Sequence, residues 1–137
     1  QEIAHKYATT DDFMKIANKE RLDAMKVPER EISLMFQMRS VDMPLGYPFD
    51  IASYGFLLSM IAQCVNMEPG QLVSCTGDTH IYMNQLEFID IQMNNEPYEL
   101  PTLLLNKNIK DLFDFTIDDV KIVNYQSHDK IPYPLSN

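Results

Sequence analysis

Arg39 and Ser40 adjoin, and together they make a grip for an oxyanion. A guanidinium presents a planar fork that matches phosphate oxygens and stays charged at every working pH. The serine hydroxyl adds a donor. Asp42, Gly46 and Asp50 follow in a stretch that carries Pro44 and Pro48 and leads into a long apolar run. Gly46 allows close approach of backbone to a ligand. Asp50 is a carboxylate at the mouth of a helix. Further on, Gly77-Asp78-Thr79-His80-Ile81-Tyr82 sets a His and a Tyr at i and i+2, which face the same way in extended chain. Both can hydrogen-bond one hydroxyl group. Anion grip, close-approach turn, polar reader and hydroxyl clamp read together as a nucleotide pocket. Each piece alone has a plainer reading: Arg39 as solvated surface, Asp42 with Gly46 as turn chemistry, His80 and Tyr82 as partly buried residues, Asp50 as a helix cap.

The two stretches resemble the thymidylate synthase family, which includes the phage deoxycytidylate hydroxymethylases. The family pattern is Arg-Ser-x-Asp, then Leu-Gly-x-Pro-Phe-Asn-Ile-Ala-Ser-Tyr, then Gly-Asp-x-His-Ile-Tyr. Here it reads Arg39-Ser40-Val41-Asp42, Leu45-Gly46-Tyr47-Pro48-Phe49-Asp50-Ile51-Ala52-Ser53-Tyr54, and Gly77 to Tyr82. One position departs: Asp50 stands where the synthases carry Asn. The resemblance covers residues 31–125 of a single expected domain, 1–137, and fades over residues 1–30. It implies one-carbon transfer to carbon-5 of a pyrimidine deoxynucleoside monophosphate, with 5,10-methylenetetrahydrofolate as donor. It places Arg39 and Ser40 on the phosphate, Asp50 on the base, and His80 and Tyr82 on the deoxyribose 3′-hydroxyl. Asp42 and Gly46 border the folate and the base edge. Asp50, and Met38 ahead of Arg39 where the synthases usually have Gln, point to the cytosine-specific branch. That branch serves phage DNA and makes a hydroxymethyl or methyl product. The alternative is a thymidylate synthase acting on deoxyuridylate.

The resemblance also exposes a gap. Carbon-5 of a pyrimidine is a poor nucleophile, and the family activates it by adding a Cys thiolate to carbon-6. That Cys is expected upstream of Arg39 in a Pro-Cys-His stretch, yet residues 1–38 contain no Cys. The family's upstream Arg pair and active-site Glu are not recognisable either. No catalytic residue is therefore assigned. Three arrangements fit: a chain that lacks residues at or ahead of its start, a second polypeptide carrying the Cys, or an inactive relative that binds nucleotide or serves as an assembly subunit. Gln1 in place of an initiator Met points to a processed chain or one cut from something longer.

Composition narrows the partners. The 137 residues fit one domain, and 45% hydrophobic residues is ordinary for a globular protein. A net charge of −9 argues against a nucleic-acid or anionic-membrane surface, so a phosphate must be gripped locally. No apolar run approaches a membrane span, and no signal-peptide pattern opens the chain. Cys64 and Cys75 read as inert core thiols of a cytoplasmic protein. His5 and His128 have no metal-ligand spacing, so no metal is assigned.

These side chains need elements to hold them. Thr10-Asp11-Asp12 opens a helix carrying Phe13, Ile16, Ala17 and Met25, ended by Val27-Pro28. Ile32, Leu34 and Phe36 alternate, which predicts a strand over Glu31–Met38. Asp50 to Asn66 is apolar on nearly all sides, which predicts a long buried helix with Asp50 as N-cap or first-turn acid. Glu68-Pro69-Gly70 reads as a turn and Gln71–Thr76 as a strand. Asn84-Gln85-Leu86-Glu87 resembles a capping box, with Leu86, Ile89 and Met93 as a helical stripe. Thr102–Leu105 and Val120–Tyr125 read as strands, with a brief helix start at Thr116. Helices and strands mix without regular βαβ alternation, so the class is α+β. The resemblance adds a large bent mixed sheet packed back to back in a homodimer.

Overall fold

The computed structural model describes residues 24–25 and 27–135. The helix expected from Thr10 onward lies outside them. Strand β1 spans Glu31–Asp42 and strand β2 spans Glu68–His80, and the two pair in parallel. A parallel pair needs a crossover. Helix α1, Tyr47–Cys64, supplies it.

β1 forms because Ile32, Leu34 and Phe36 turn inward while Glu31, Ser33, Met35 and Gln37 stay exposed. It runs past the expected end at Met38 because β2 continues beside it, with Ser40 opposite Asp78, Val41 opposite Thr79 and Asp42 opposite His80. β2 also begins earlier than its sequence predicts. Glu68-Pro69-Gly70 is strand, not turn, with Glu68 across from Glu31 and Pro69 across from Ile32. The ladder slips between Ile32 and Leu34, where the Gln71 N–H donates to Ser33 Oγ at 3.0 Å. A Cβ on Gly70 would lie 2.8 Å from that same oxygen and 3.2 Å from the Ile32 carbonyl oxygen, so a side chain there would displace the serine hydroxyl.

α1 starts at Tyr47 rather than Asp50. Gly46 is the N-cap, Pro48 sits in the first turn where its missing N–H costs nothing, and Asp50 is a first-turn acid. The helix ends at Cys64, after which Asn66 takes a left-handed φ of 53°. Its inner side packs on the sheet. Tyr54 stacks on Phe36 with ring centroids 3.9 Å apart, and the Tyr47 and Ser74 hydroxyls hydrogen-bond. Phe36, Val41, Leu58 and Ala62 are the buried apolar side chains among the described residues. The expectation of a helix buried on nearly all sides is thus met along one strip; Phe49, Ile51 and Val65 are exposed. Few partners cover the far side of α1 within the described residues, and apolar composition by itself cannot supply them.

Strands β3, Thr102–Leu105, and β4, Val120–Val123, form an antiparallel pair at the expected places. Asn124, at φ 58°, stops β4 short of Tyr125. A single 3₁₀ turn, Ile117–Asp119, precedes it. Thr116 donates its N–H and hydroxyl to Asp119, and Asn106 donates its amide. The Thr116 hydroxyl is the largest of the effects that hold the Asp119 carboxyl below its ordinary value. Gln63 of α1 donates to the Asn106 and Ile109 carbonyls and so ties this hairpin to the helix. Helix α2, Leu86–Met93, carries the predicted stripe, although Leu86 and Met93 are exposed. Its lead-in, the 3₁₀ turn Met83–Gln85, is capped two residues ahead of Asn84, by Tyr82 and Gln85. Cys64 and Cys75 are free thiols, and Cys75 is exposed, not a core residue. Among the described residues no helix is long and apolar enough to cross a membrane. The α+β class holds.

Candidate functional site

The parallel register brings the two sequence motifs side by side. Met38 faces Thr76 across the ladder and Ser40 faces Asp78, which sets Arg39 against Gly77. Asp42 ends β1 opposite His80, which ends β2, and the Met43 N–H donates to the His80 carbonyl at 3.1 Å. The carboxyl ends of parallel strands are where ligands bind in open α/β sheets. The first turn of α1 starts from this same edge.

Arg39 is exposed and makes no side-chain hydrogen bond or ion pair among the described residues. Strand alternation turns it away from α1, because Phe36 and Ser74 face the helix. Its backbone is held tightly. A Cβ on Gly77 would lie 2.8 Å from the Arg39 carbonyl oxygen. Gly77→Ala must therefore push the strands apart, at a cost of about 1–3 kcal/mol. We expect a lower melting temperature; an unchanged melt would mean that the strands separate freely at this point.

Asp42 is half-buried, and its carboxylate is oriented from two sides. Oδ1 accepts the Leu45 N–H at 3.3 Å and Oδ2 accepts from Gln85 Nε2 at 3.1 Å. A carboxylate keeps further lone pairs beyond these two bonds. Gly46 donates its N–H to the Asp42 carbonyl at 3.0 Å. Its φ of −83° is open to any residue, and an added Cβ would meet only ordinary contacts with Asp42. Neither conformation nor internal crowding requires glycine at 46.

His80 and Tyr82 come together as their spacing suggests. The rings meet edge to face with centroids 4.9 Å apart. His80 Nδ1 lies 3.3 Å from the Asp78 carbonyl and 3.6 Å from its carboxylate. Both are acceptors; the neutral tautomer that satisfies them carries its proton on Nδ1 and leaves Nε2 to accept. The Tyr82 phenol both donates and accepts. The pair suits a hydroxyl that gives its hydrogen to His80 and takes one from Tyr82.

Asp50 is half-buried, and its carboxylate has no side-chain bond among the described residues. Sequence reasoning did not find Gln85, noticed only as part of a capping pattern, or the tail beside it. Gln85 is fully buried. Tyr133 donates to Gln92 Oε1 at 2.6 Å, and burial, then the charge of Asp42, push its phenol above the ordinary value. The usable signal was a Gln two residues beyond a Tyr-Met pair, with Tyr and Pro in an otherwise irregular tail.

A parallel β1–α1–β2 unit that gathers these motifs at one edge defines a class, and the chain belongs to the thymidylate synthase family: the family's model, described as thymidylate synthase, matches residues 3–137. The chain is 47% identical over 105 residues to thymidylate synthase from Mycoplasma mobile, covering 77% of this chain and 36% of that protein. It is 45% identical over 101 residues to the bifunctional dihydrofolate reductase-thymidylate synthase of Plasmodium chabaudi, covering 74% of this chain and 17% of that one. The fold is similar to thermostable thymidylate synthase A from Bacillus subtilis, with a TM-score of 0.75, 39% identity, and coverage of 80% of this chain and 39% of that structure. The chain thus spans less than half the length of each of these relatives.

Proposed function

We propose that this chain holds the nucleotide in a pyrimidine deoxynucleotide C5 one-carbon transferase, with deoxycytidylate as its preferred substrate. The observation that supports this most is the register that sets Ser40 beside Asp78 and Asp42 beside His80. It gathers an anion grip, a carboxylate and a hydroxyl clamp at one edge. Arg39 and Ser40 hold the phosphate, Asp50 reads the base, and His80 and Tyr82 take the sugar hydroxyl. Asp42 and the open face of Gly46 border 5,10-methylenetetrahydrofolate, which supplies the one-carbon unit when bound. A folate ring offers N–H donors, and the free lone pairs of Asp42 fit that chemistry.

A second reading is a thymidylate synthase acting on deoxyuridylate. The names of the relatives favour it. The thiol that adds to carbon-6 belongs to neither reading's described site: Cys64 closes the far end of α1, and Cys75 lies on β2 level with Gln37. It comes from a further stretch or a partner polypeptide; without one, the chain is a nucleotide-binding or assembly subunit. A homodimer is part of this proposal.

Tritium release from 5-labelled deoxycytidylate and deoxyuridylate, with folate present and the full-length gene product, tests it. Release is expected, and faster from deoxycytidylate. No release from either nucleotide would overturn the catalytic reading.

A further inference from the structure

We propose that Gln85 is a positioning residue that couples the C-terminal tail to Asp42 and Tyr82 through one buried carboxamide. Gln85 is 0% exposed and is the buried polar side chain of the described core. Burying an amide is costly unless its groups find partners. Here they do: Oε1 accepts the Tyr82 N–H at 3.1 Å, and Nε2 donates to Asp42 Oδ2 at 3.1 Å and reaches the Pro134 carbonyl at 3.5 Å. The orientation is decided by the partners. Turning the amide over would set its oxygen against two acceptors and its NH₂ against a donor.

Three pieces of chain far apart in sequence therefore share one hydrogen-bond hub. The tail is seated by further contacts on α2: Tyr133 bonds to Gln92, and its ring packs on Phe88 with centroids 5.6 Å apart. A shift of Asp42 is felt at Pro134, and a shift of the tail is felt at Asp42 and at the backbone that carries the Tyr82 ring. Coupling of this kind is reciprocal. Its effect on ligands rests on the proposed roles of Asp42 and Tyr82; the link to the tail does not.

Two variants of the full chain test it. Gln85→Met keeps the shape and removes all three bonds. Gln85→Glu sets a second carboxyl against Asp42, and the pair then shares a proton as pH falls. Two readouts are followed: the titration of the Tyr133 phenol by NMR of ring-labelled tyrosine, and calorimetric binding of deoxycytidine and deoxyuridine monophosphates. In Gln85→Met the Tyr133 titration moves back towards the ordinary tyrosine value, and nucleotide affinity falls by about fivefold or more. In Gln85→Glu the loss is largest where both carboxyls are ionised and shrinks as pH falls, when one carboxyl donates to the other. Movement of Tyr133 in a chain that binds neither nucleotide supports the tail coupling and removes the proposed ligand roles instead. If Gln85→Met leaves Tyr133 unmoved, or Gln85→Glu shows no pH dependence beyond wild type, the coupling is wrong.

Discussion

Asp50→Asn is expected to swing nucleotide preference from deoxycytidylate towards deoxyuridylate by roughly tenfold or more, because an unpaired buried acceptor costs about 1–3 kcal/mol. Cytosine presents a donor at N4 and an acceptor at N3. Uracil presents an acceptor at O4 and a donor at N3. An amide answers uracil with its NH₂ and its carbonyl. A carboxylate accepts from the cytosine amino group but sets an acceptor against uracil O4. The helix does not need Asp50 as its cap, because Gly46 holds that position. Removing the charge from the first turn forfeits about 0.3–1 kcal/mol of helix-dipole interaction. The melting temperature should therefore fall only slightly. Calorimetry with both nucleotides, on parent and variant, measures the ratio. Equal ratios in the two proteins would remove Asp50 from base reading.

Arg39→Ala should weaken deoxynucleoside monophosphate binding at least tenfold and leave the nucleoside almost untouched. A charge-assisted hydrogen bond contributes on the order of 1.5–3 kcal/mol, and a guanidinium fork on a phosphate makes two. The surrounding charge strengthens the expectation. The chain carries −9 overall and has three arginines, Arg21, Arg30 and Arg39, so the phosphate depends on a local cation. Arg39→Lys should restore part of the affinity, since the charge returns without the fork. Folding should hardly change, because Arg39 is exposed and makes no side-chain bond among the described residues. Matching losses for nucleotide and nucleoside would assign Arg39 to the architecture instead.

Much of the local structure was legible in residue order, because it depends on near neighbours. Alternation of Ile32, Leu34 and Phe36 wrote the start of β1. Apolar spacing wrote α1, and Thr102–Leu105 emerged as a strand residue for residue. The chemistry of Arg39, Ser40, His80 and Tyr82 was readable from side-chain type, and the pairing of His80 with Tyr82 followed from an i, i+2 spacing that needs only extended chain. What neighbours could not decide was register. Pro69-Gly70 carries turn chemistry and became strand because β1 lies alongside and a serine hydroxyl takes up the slipped ladder bond. Gly77 was visible only as part of a motif; its physical reason is the Arg39 carbonyl 2.8 Å from where a Cβ would be. The exposure of α1 on one side, against its uniformly apolar sequence, reflects how many partners surround it, which no residue in the helix encodes. Gln85 is the clearest case. A glutamine in a capping pattern belongs by type on the surface, and only the meeting of Asp42, Tyr82 and the tail at Pro134 made its burial affordable. Short-range sterics and periodicity act within a few residues and are written in order. Pairing register and the satisfaction of buried polar groups join residues distant in sequence, so they exist only once the chain has folded.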